Sequence, residues 1–383
     1  MKNKLIPRGL RDILPEQVKV RREMEKKLSN LFLSYGFNEV ITPTFEFLEV
    51  IETGAGSLRE ELFLFMDREG GILSLRPEVT VAIARLVPSH YKNADFPQRL
   101  FYLANVFRHV QPQRAQHREF WQMGIELIGA SGVRADAEVI TIAVEAMRAI
   151  GVPNFKISLN QIAIFNSLLE ASGLGLDEQE RIRGLVENKD LVELHKFLAS
   201  LAIDDKLKET INKLPVLHGG LDLLEEIPYI ESNRGASLAV EELIKVYEAL
   251  EASKVKDDVV LDMGVIRGLD YYTGIVFEGY AADLGYGLLG GGRYDNLIGQ
   301  FGYNAPATGF AMGLDRLALV LDAKKDEPPH YLIGGQDYLQ LISKCQELRN
   351  QGHIVEMDVR GLSRSELAEL LVGKPNFELI YID

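Results

Sequence analysis

The sequence predicts an α+β fold with a helical insertion and a small α/β unit at its C-terminal end. Three observations predict it. Two apolar strand candidates, 99–108 and 118–129, flank a polar turn and read as one long hairpin. Between about 163 and 254 the composition shifts to leucine, glutamate and lysine in helical runs, with few strand signals. Residues 331–383 read strand–helix–strand–helix–strand with short connections, the pattern of a small α/β unit.

The elements follow in order. Residues 16–35 predict an amphipathic helix, because Met24, Leu28, Leu31 and Tyr35 recur at helical spacing and Gly36 can end it. "FNEVITPTFEF" is extended and stops at Pro43. "ILSLRPEVT" (72–80) reads as a strand running into a charged stretch. Residues 136–150 predict a helix capped by Asp136, with Ile140, Ala143, Val144 and Met147 on one face and Gly151-Val-Pro153 as its stop. "FKISLN" (155–160) alternates as a half-buried strand does. After the insertion, strand signals return at 258–264 and 274–280. A glycine-rich stretch (285–295) follows, then an apolar helix over 309–321 and a charged Pro-Pro linker over 322–330. The expected domains are 1–322, with the insertion inside it, and 331–383.

The totals exclude several classes. A net charge of −14 disfavours a nonspecific nucleic-acid binder. One cysteine, Cys345, allows no internal disulfide and no cysteine cluster, and on its helical pattern it reads as a small apolar residue; a reducing, cytoplasmic setting is expected. No apolar run reaches membrane-spanning length, and the N-terminal residues show no secretory apolar core. The seven histidines show no paired-ligand spacing, so no metal is expected, and no phosphate-loop or dinucleotide fingerprint occurs, so no cofactor is expected.

Strand parity organises the candidate chemistry. In "FWQMGIELIG", Trp121, Met123, Ile125 and Leu127 share an apolar face, while Gln122, Gly124 and Glu126 share the other. Gly124 leaves room above the sheet for a ligand. Arg76, Glu78 and Thr80 share a parity in the same way, and Arg108 ends its strand beside the turn. Any one of these alone reads first as a solvent-facing strand residue; it is their gathering on polar strand faces, without the lysines of bulk surface, that points to a site. "RGLDYYTG" offers Arg267, Tyr271 and Tyr272, either as a carboxylate fork beside rigid rings or as a β-turn with surface aromatics. Arg316 lies close to an apolar helix face, where it can also be a snorkelling core arginine.

Taken in order, these stretches resemble the class II aminoacyl-tRNA synthetases. "YGFNEVITP" resembles motif 1, "FRHVQPQRAQHREFWQ" motif 2 and "ATGFAMGLDRL" motif 3, with Arg316 as the motif 3 arginine. "LSLRPEVT", "RGLDYYTG" and "GGGRYDNL" resemble signatures of histidyl-tRNA synthetase-like proteins. The resemblance covers roughly residues 5–322. It implies a six-stranded antiparallel sheet flanked by helices and a dimer formed through the motif 1 region. It also implies a histidine pocket of Glu78, Thr80, Arg108, Gln122, Glu126, Arg267, Tyr271 and Tyr272.

Two kinds of protein share these signatures: histidyl-tRNA synthetases, and noncatalytic regulatory subunits of ATP phosphoribosyltransferase. The motif 2 loop separates them. A synthetase typically has glutamate where Val110 stands, arginine at Gln111, glycine at Ala115 and arginine at Gln116; Val79 likewise replaces a glycine. Arg118 and Arg316 remain. Losing an acceptor and two charges from a triphosphate site costs several kcal/mol, at roughly 1.5–3 per charged hydrogen bond. Residues 331–383 are short for an anticodon-binding domain and are not basic, so no tRNA is expected. The resemblance therefore implies a regulatory subunit with L-histidine as its effector. Its expected partner is a short-form catalytic ATP phosphoribosyltransferase, which it activates and through which histidine exerts feedback. A divergent synthetase is the alternative.

Overall fold

A computed structural model describes residues 6–111, 117–227, 229–266, 271–281, 286–321, 330–374 and 376–383. Two compact units divide the chain, Met1–Leu321 and Asp322–Asp383.

The first unit opens with α1 (Pro15–Ser34). Proline at its start has no N–H to leave unpaired, and Gly36 turns the chain at φ +80° after its end. Met24, Leu28 and Phe32 are its buried stripe, and Phe32 meets the rings of Phe101 and Phe310 edge-on at 5.8 and 6.1 Å. Short strand β1 (Asn38–Glu39) leads to a three-stranded antiparallel sheet of β2 (Phe45–Phe47), β3 (Leu64–Met66) and β4 (Ile72–Leu75), with β4 central and α2 (Leu48–Ala55) between β2 and β3. Helix α3 (Thr80–His90) follows. The expected hairpin is β5 (Gln98–Phe107) and β6 (Glu119–Ile128), paired over their full length. Its tip, 112–116, lies outside the described residues, and Ala115 and Gln116 lie there with it.

Helix α4 (Val133–Ile150) and β7 (Phe155–Gln161) precede the insertion. The insertion comprises α5 (Ile162–Ala171), α6 (Leu176–Glu187), α7 (Leu191–Ser200), α8 (Asp205–Lys213), the two-residue β8 (His218–Gly219) and α9 (Arg234–Ala252). The chain returns through β9 (Val259–Asp262), β10 (Ile275–Ala281), β11 (Leu289–Arg293) and β12 (Ala307–Gly313) to the short α10 (Leu314–Leu317). The sheet order is β1-β5-β6-β12-β11-β10-β7-β9-β8. The six strands from β5 to β7 are antiparallel throughout. Parallel β1 and β9 extend that centre at either side, so the sheet is wider than the six strands expected. This is the expected α+β core, a largely antiparallel sheet flanked by helices.

One face of the sheet is sealed by α1, α4 and the insertion, where Met123, Ile125, Leu127, Phe277 and Phe310 join one large apolar cluster. The opposite face carries α2 and α3 over Leu100, Tyr102, Ala104 and Val106. Strand parity thus aims Gln122 and Glu126 at the second face, as the alternation in β6 implies.

Four expectations require correction. "RPEVT" does not continue β4: Pro77 cannot donate to a ladder, and the chain turns into α3 at Thr80. Residues 309–321 are not one helix, because Ala307–Gly313 fills the central strand position between β6 and β11 and only Leu314–Leu317 is α-helical. The glycines of "GGGRYD", by composition three flexible residues, are the body of β11. Asp136 does not cap α4, which starts at Val133 after Gly132 at φ +83°. Its carboxylate instead accepts two hydrogen bonds of 3.0 Å from Arg293 Nε in the core.

The second unit is a parallel sheet in the order β14 (Ile354–Met357), β13 (His330–Gly335), β15 (Phe377–Ile382), with α11 (Tyr338–Asn350) and α12 (Arg364–Leu370) as its crossovers. Ile333, Leu341, Cys345, Leu348 and Val355 form its core, and Cys345 is a buried free thiol. Among the described residues no helix is long and apolar enough to cross a membrane.

Candidate functional site

The second face of the large sheet encloses a cavity of about 250 Å³. That exceeds the ~150 Å³ void that holds a benzene ring. Of the candidate residues, Glu78, Thr80, Arg108, Val110, Gln122, Glu126, Tyr271, Tyr272 and Arg316 line it together. Gln111 and Arg118 do not line it. Arg118 is drawn to the N-terminal segment, where its N–H donates to Gly9 O at 2.8 Å and its Nε to Val110 O at 3.2 Å. Arg267 and Gln116 lie outside the described residues.

Thr80 is the knot of the inner end. As the first residue of α3 it has a backbone N–H with no partner inside the helix, and Glu78 Oε2 accepts it at 2.7 Å. Glu78 Oε1 takes the next N–H, of Val81, at 2.8 Å. The Thr80 hydroxyl donates to Glu126 Oε1 at 2.8 Å, and the Tyr294 hydroxyl donates to Glu126 Oε2. One threonine thus bridges two buried carboxyls. Burial raises Glu78, while the backbone N–H groups and Arg108 moderate the rise. Burial pushes Glu126 up to about 8, with Glu78 adding to the rise. Arg76, of the same short segment, takes no part in the cavity. Its guanidinium donates to Asn105 O at 2.8 Å, Thr42 O at 2.8 Å and Pro43 O at 3.1 Å, tying the motif 1-like segment to β5.

Glycines shape the walls by what they leave out. A Cβ at Gly309 would lie 2.0 Å from Glu126 Oε2, and one at Gly292 would lie 2.8 Å from the Tyr272 ring. The gap at Gly124 is filled by the Tyr102 phenol, whose hydroxyl would be 2.6 Å from a Cβ there; the room expected for a ligand is taken by a side chain of β5. Tyr271 packs edge-on against Tyr272 at 4.9 Å and Tyr294 at 5.5 Å, making an aromatic wall.

The outer end has different chemistry. Val110 presents an apolar side chain to the cavity. Arg316 is turned onto the chain itself, donating to Gly287 O at 2.8 Å and lying 5.3 Å from the Tyr286 ring centre. Asp315 accepts the Trp121 N–H at 2.7 Å and pairs with Arg11. Arg108 donates to Pro77 O at 2.9 Å. Burial and the neighbouring Arg11 lower His117, so it adds little positive charge near neutral pH. Glu61, Glu278 and Asp315 line this end with Arg316. The three acids outnumber the two lining arginines, Arg108 and Arg316, which leaves little net positive charge to hold a triphosphate. Among the described residues no cluster of His, Cys, Asp or Glu is arranged to hold a metal ion.

Sequence reasoning missed Tyr102, Tyr294, Glu61, Glu278 and Asp315. Tyr294 stood within a quoted signature, "GGGRYDNL". Tyr102 shares the parity of Leu100 and Ala104 and reads there as plain core.

Comparison with known proteins follows the same lines. The histidyl-tRNA synthetase family profile matches residues 9–317. The ATP phosphoribosyltransferase regulatory subunit of Moorella thermoacetica is 40% identical over 95% of this chain and 94% of its own length. That of Desulfitobacterium hafniense is 37% identical over 94% and 93%. A crystal structure from Bacillus halodurans, described as an ATP phosphoribosyltransferase regulatory subunit/histidyl-tRNA synthetase, superposes with a TM-score of 0.89 at 31% identity, covering 99% of this chain and 98% of that one. The histidyl-tRNA synthetase of Nostoc sp. PCC 7120 shares the fold, with a TM-score of 0.83 at 21% identity over 100% and 92% of the two chains.

Proposed function

Because this chain belongs to the ATP phosphoribosyltransferase regulatory subunits, on a histidyl-tRNA synthetase fold, we propose that it assembles with a short-form catalytic subunit, activates it and transmits histidine feedback through its synthetase-like cavity. One observation carries the reading: the inner end of the cavity keeps a polar network suited to an amino acid, while the outer end has turned acidic and apolar. Glu78, Thr80 and Gln122 are assigned to the ammonium group, Glu126 to an imidazole N–H and Arg108 to the carboxylate, with Tyr271 and Tyr272 as walls. Arg267 is assigned to the carboxylate by resemblance alone. Histidine need only favour one conformation of the assembly; a coupling of about 1–3 kcal/mol suffices.

The test mixes the purified chain with a short-form catalytic subunit. A stable complex, a higher catalytic rate and inhibition by histidine are expected. Histidine-dependent exchange of pyrophosphate into ATP by this chain alone would sink the proposal and favour a divergent synthetase.

Self-association is the second part of the proposal. Register and parity place Phe45, Phe47 and Phe65 on one face of the small sheet, 51%, 51% and 39% exposed, with the Phe45 and Phe65 rings 5.6 Å apart. A monomer seldom leaves such an aromatic face to water, and it adjoins the motif 1-like segment. Sedimentation should give twice the 42.9 kDa chain mass. Phe45→Asp combined with Phe65→Asp should give the single chain mass. A wild type that sediments as a monomer removes this part.

A further inference from the structure

One polar atom inside the cavity has nothing to bond. Tyr102 is 2% exposed, lines the cavity, and its hydroxyl has no hydrogen-bond partner among the described residues. Thr80 stands near enough to temper the rise of the Tyr102 phenol, but the two hydroxyls do not reach hydrogen-bonding geometry, and the Thr80 hydrogen goes to Glu126 at 2.8 Å. Chain architecture keeps the hydroxyl where it is. Tyr102 pairs with Gly124 across β5 and β6, and any larger residue at 124 would strike the phenol. The hydroxyl therefore emerges between Gln122 and Glu126, the two residues that flank Gly124 on the same face of β6. Gln122 Oε1 is buried and unpartnered as well. Burial, with Glu126 and Glu78 nearby, holds the phenol well above its ordinary range, so it stays neutral.

A buried hydroxyl left unpaired is destabilising. A site that retains one is completed when something else supplies the bond. Its surroundings are rich in acceptors: Glu78, Glu126 and the Gln122 carbonyl. The missing partner is therefore a donor.

We propose that Tyr102 is a further ligand-contacting residue of this cavity, its hydroxyl accepting a hydrogen bond from a nitrogen of the bound amino acid. This rests on the histidine reading given above and adds a contact to it. The hydroxyl also becomes a filter, because a ligand that places a carbon there leaves it unsatisfied and is rejected.

Tyr102→Phe removes one oxygen and keeps the ring against Gly124. Calorimetric titration with histidine and thermal melting of the free protein, both on the full chain, test the inference. The expected result is a loss of affinity of about tenfold or more, with a melting temperature equal to or above that of the wild type, because the variant sheds an unpaired buried hydroxyl. A smaller loss overturns the inference. So does a loss accompanied by a lower melting temperature, which marks a structural role. If the wild type binds no histidine, the underlying reading falls and this inference with it; if the wild type binds and Tyr102→Phe binds equally, only this inference falls.

Discussion

Glu126→Gln is expected to weaken histidine binding by about 2–5 kcal/mol, measured by titration calorimetry, if this carboxyl meets a buried N–H. The substitution keeps the shape and an acceptor for Thr80, and removes a carboxyl that can give up its proton to pair with a desolvated N–H. The same variant changes the response to pH, and the sign is fixed. Glu126 titrates at about 8 in the folded protein against an ordinary 4.5. A raised carboxyl pKa means that the folded state holds the proton more tightly than the unfolded chain. Its contribution to stability is therefore full below about 4.5 and is lost as pH rises towards and through 8. Glu126→Gln should flatten much of that decline, leaving the smaller share due to Glu78, which burial also raises. Above pH 8 the variant should be more resistant to urea than the wild type while binding less histidine. Unchanged affinity would place the effector site elsewhere.

The largest expected loss of stability comes from Asp136→Ala. Arg293 is 4% exposed and Asp136 1%, and the pair is supported by Asp295 at 2.9 Å and by Ala130 O at 3.2 Å. Removing the acid leaves the core guanidinium with only the part-exposed Asp295 as counter-charge, which costs up to about 3–5 kcal/mol. That is a large share of the 5–15 kcal/mol of a typical fold. Urea unfolding of the variant measures it. Pairing Asp136→Ala with Arg293→Met should recover part of the loss, since the stranded charge goes too. A single variant as stable as the wild type would mean that water reaches Arg293. The pair also bears on the cavity, because Arg293 immediately precedes Tyr294, which holds Glu126.

Periodicity made the elements around the cavity legible. The helical stripe of α1, the hairpin and the α/β pattern of 331–383 rest on local spacing, which sequence shows directly. Residues whose role depends on a distant partner were not legible. Asp136 reads as a cap until Arg293, far along the chain, is seen beside it. Gly290–Gly292 read as flexible residues and gave no strand signal, because glycine lowers strand propensity. In the fold Gly291 and Gly292 have to be bare, since the Phe277 and Tyr272 rings and the backbone carbonyls of Gly309 and Ile275 occupy the space of their side chains. Pro77 hid the start of α3, because a helix that begins three residues after a proline looks like the end of a strand. In the site, acids and arginines drew notice by their charge. Tyr102 and Tyr294 did not, because a tyrosine in an apolar strand resembles core until its hydroxyl is located.

The placement of Trp121 has a use of its own. It is the sole tryptophan of the chain. It sits on β6 beside the cavity-lining Gln122, with its backbone N–H bound to Asp315 and the Arg21 guanidinium 3.6 Å from its ring centre. Excitation at the red edge of the absorption band therefore interrogates one indole, stacked under a cation and one residue from the cavity. The protein carries its own optical reporter. Displacement of the hairpin, of α1 or of Asp315 registers in a single emission line without a label, so events at the cavity can be followed in the isolated chain on the timescale of mixing.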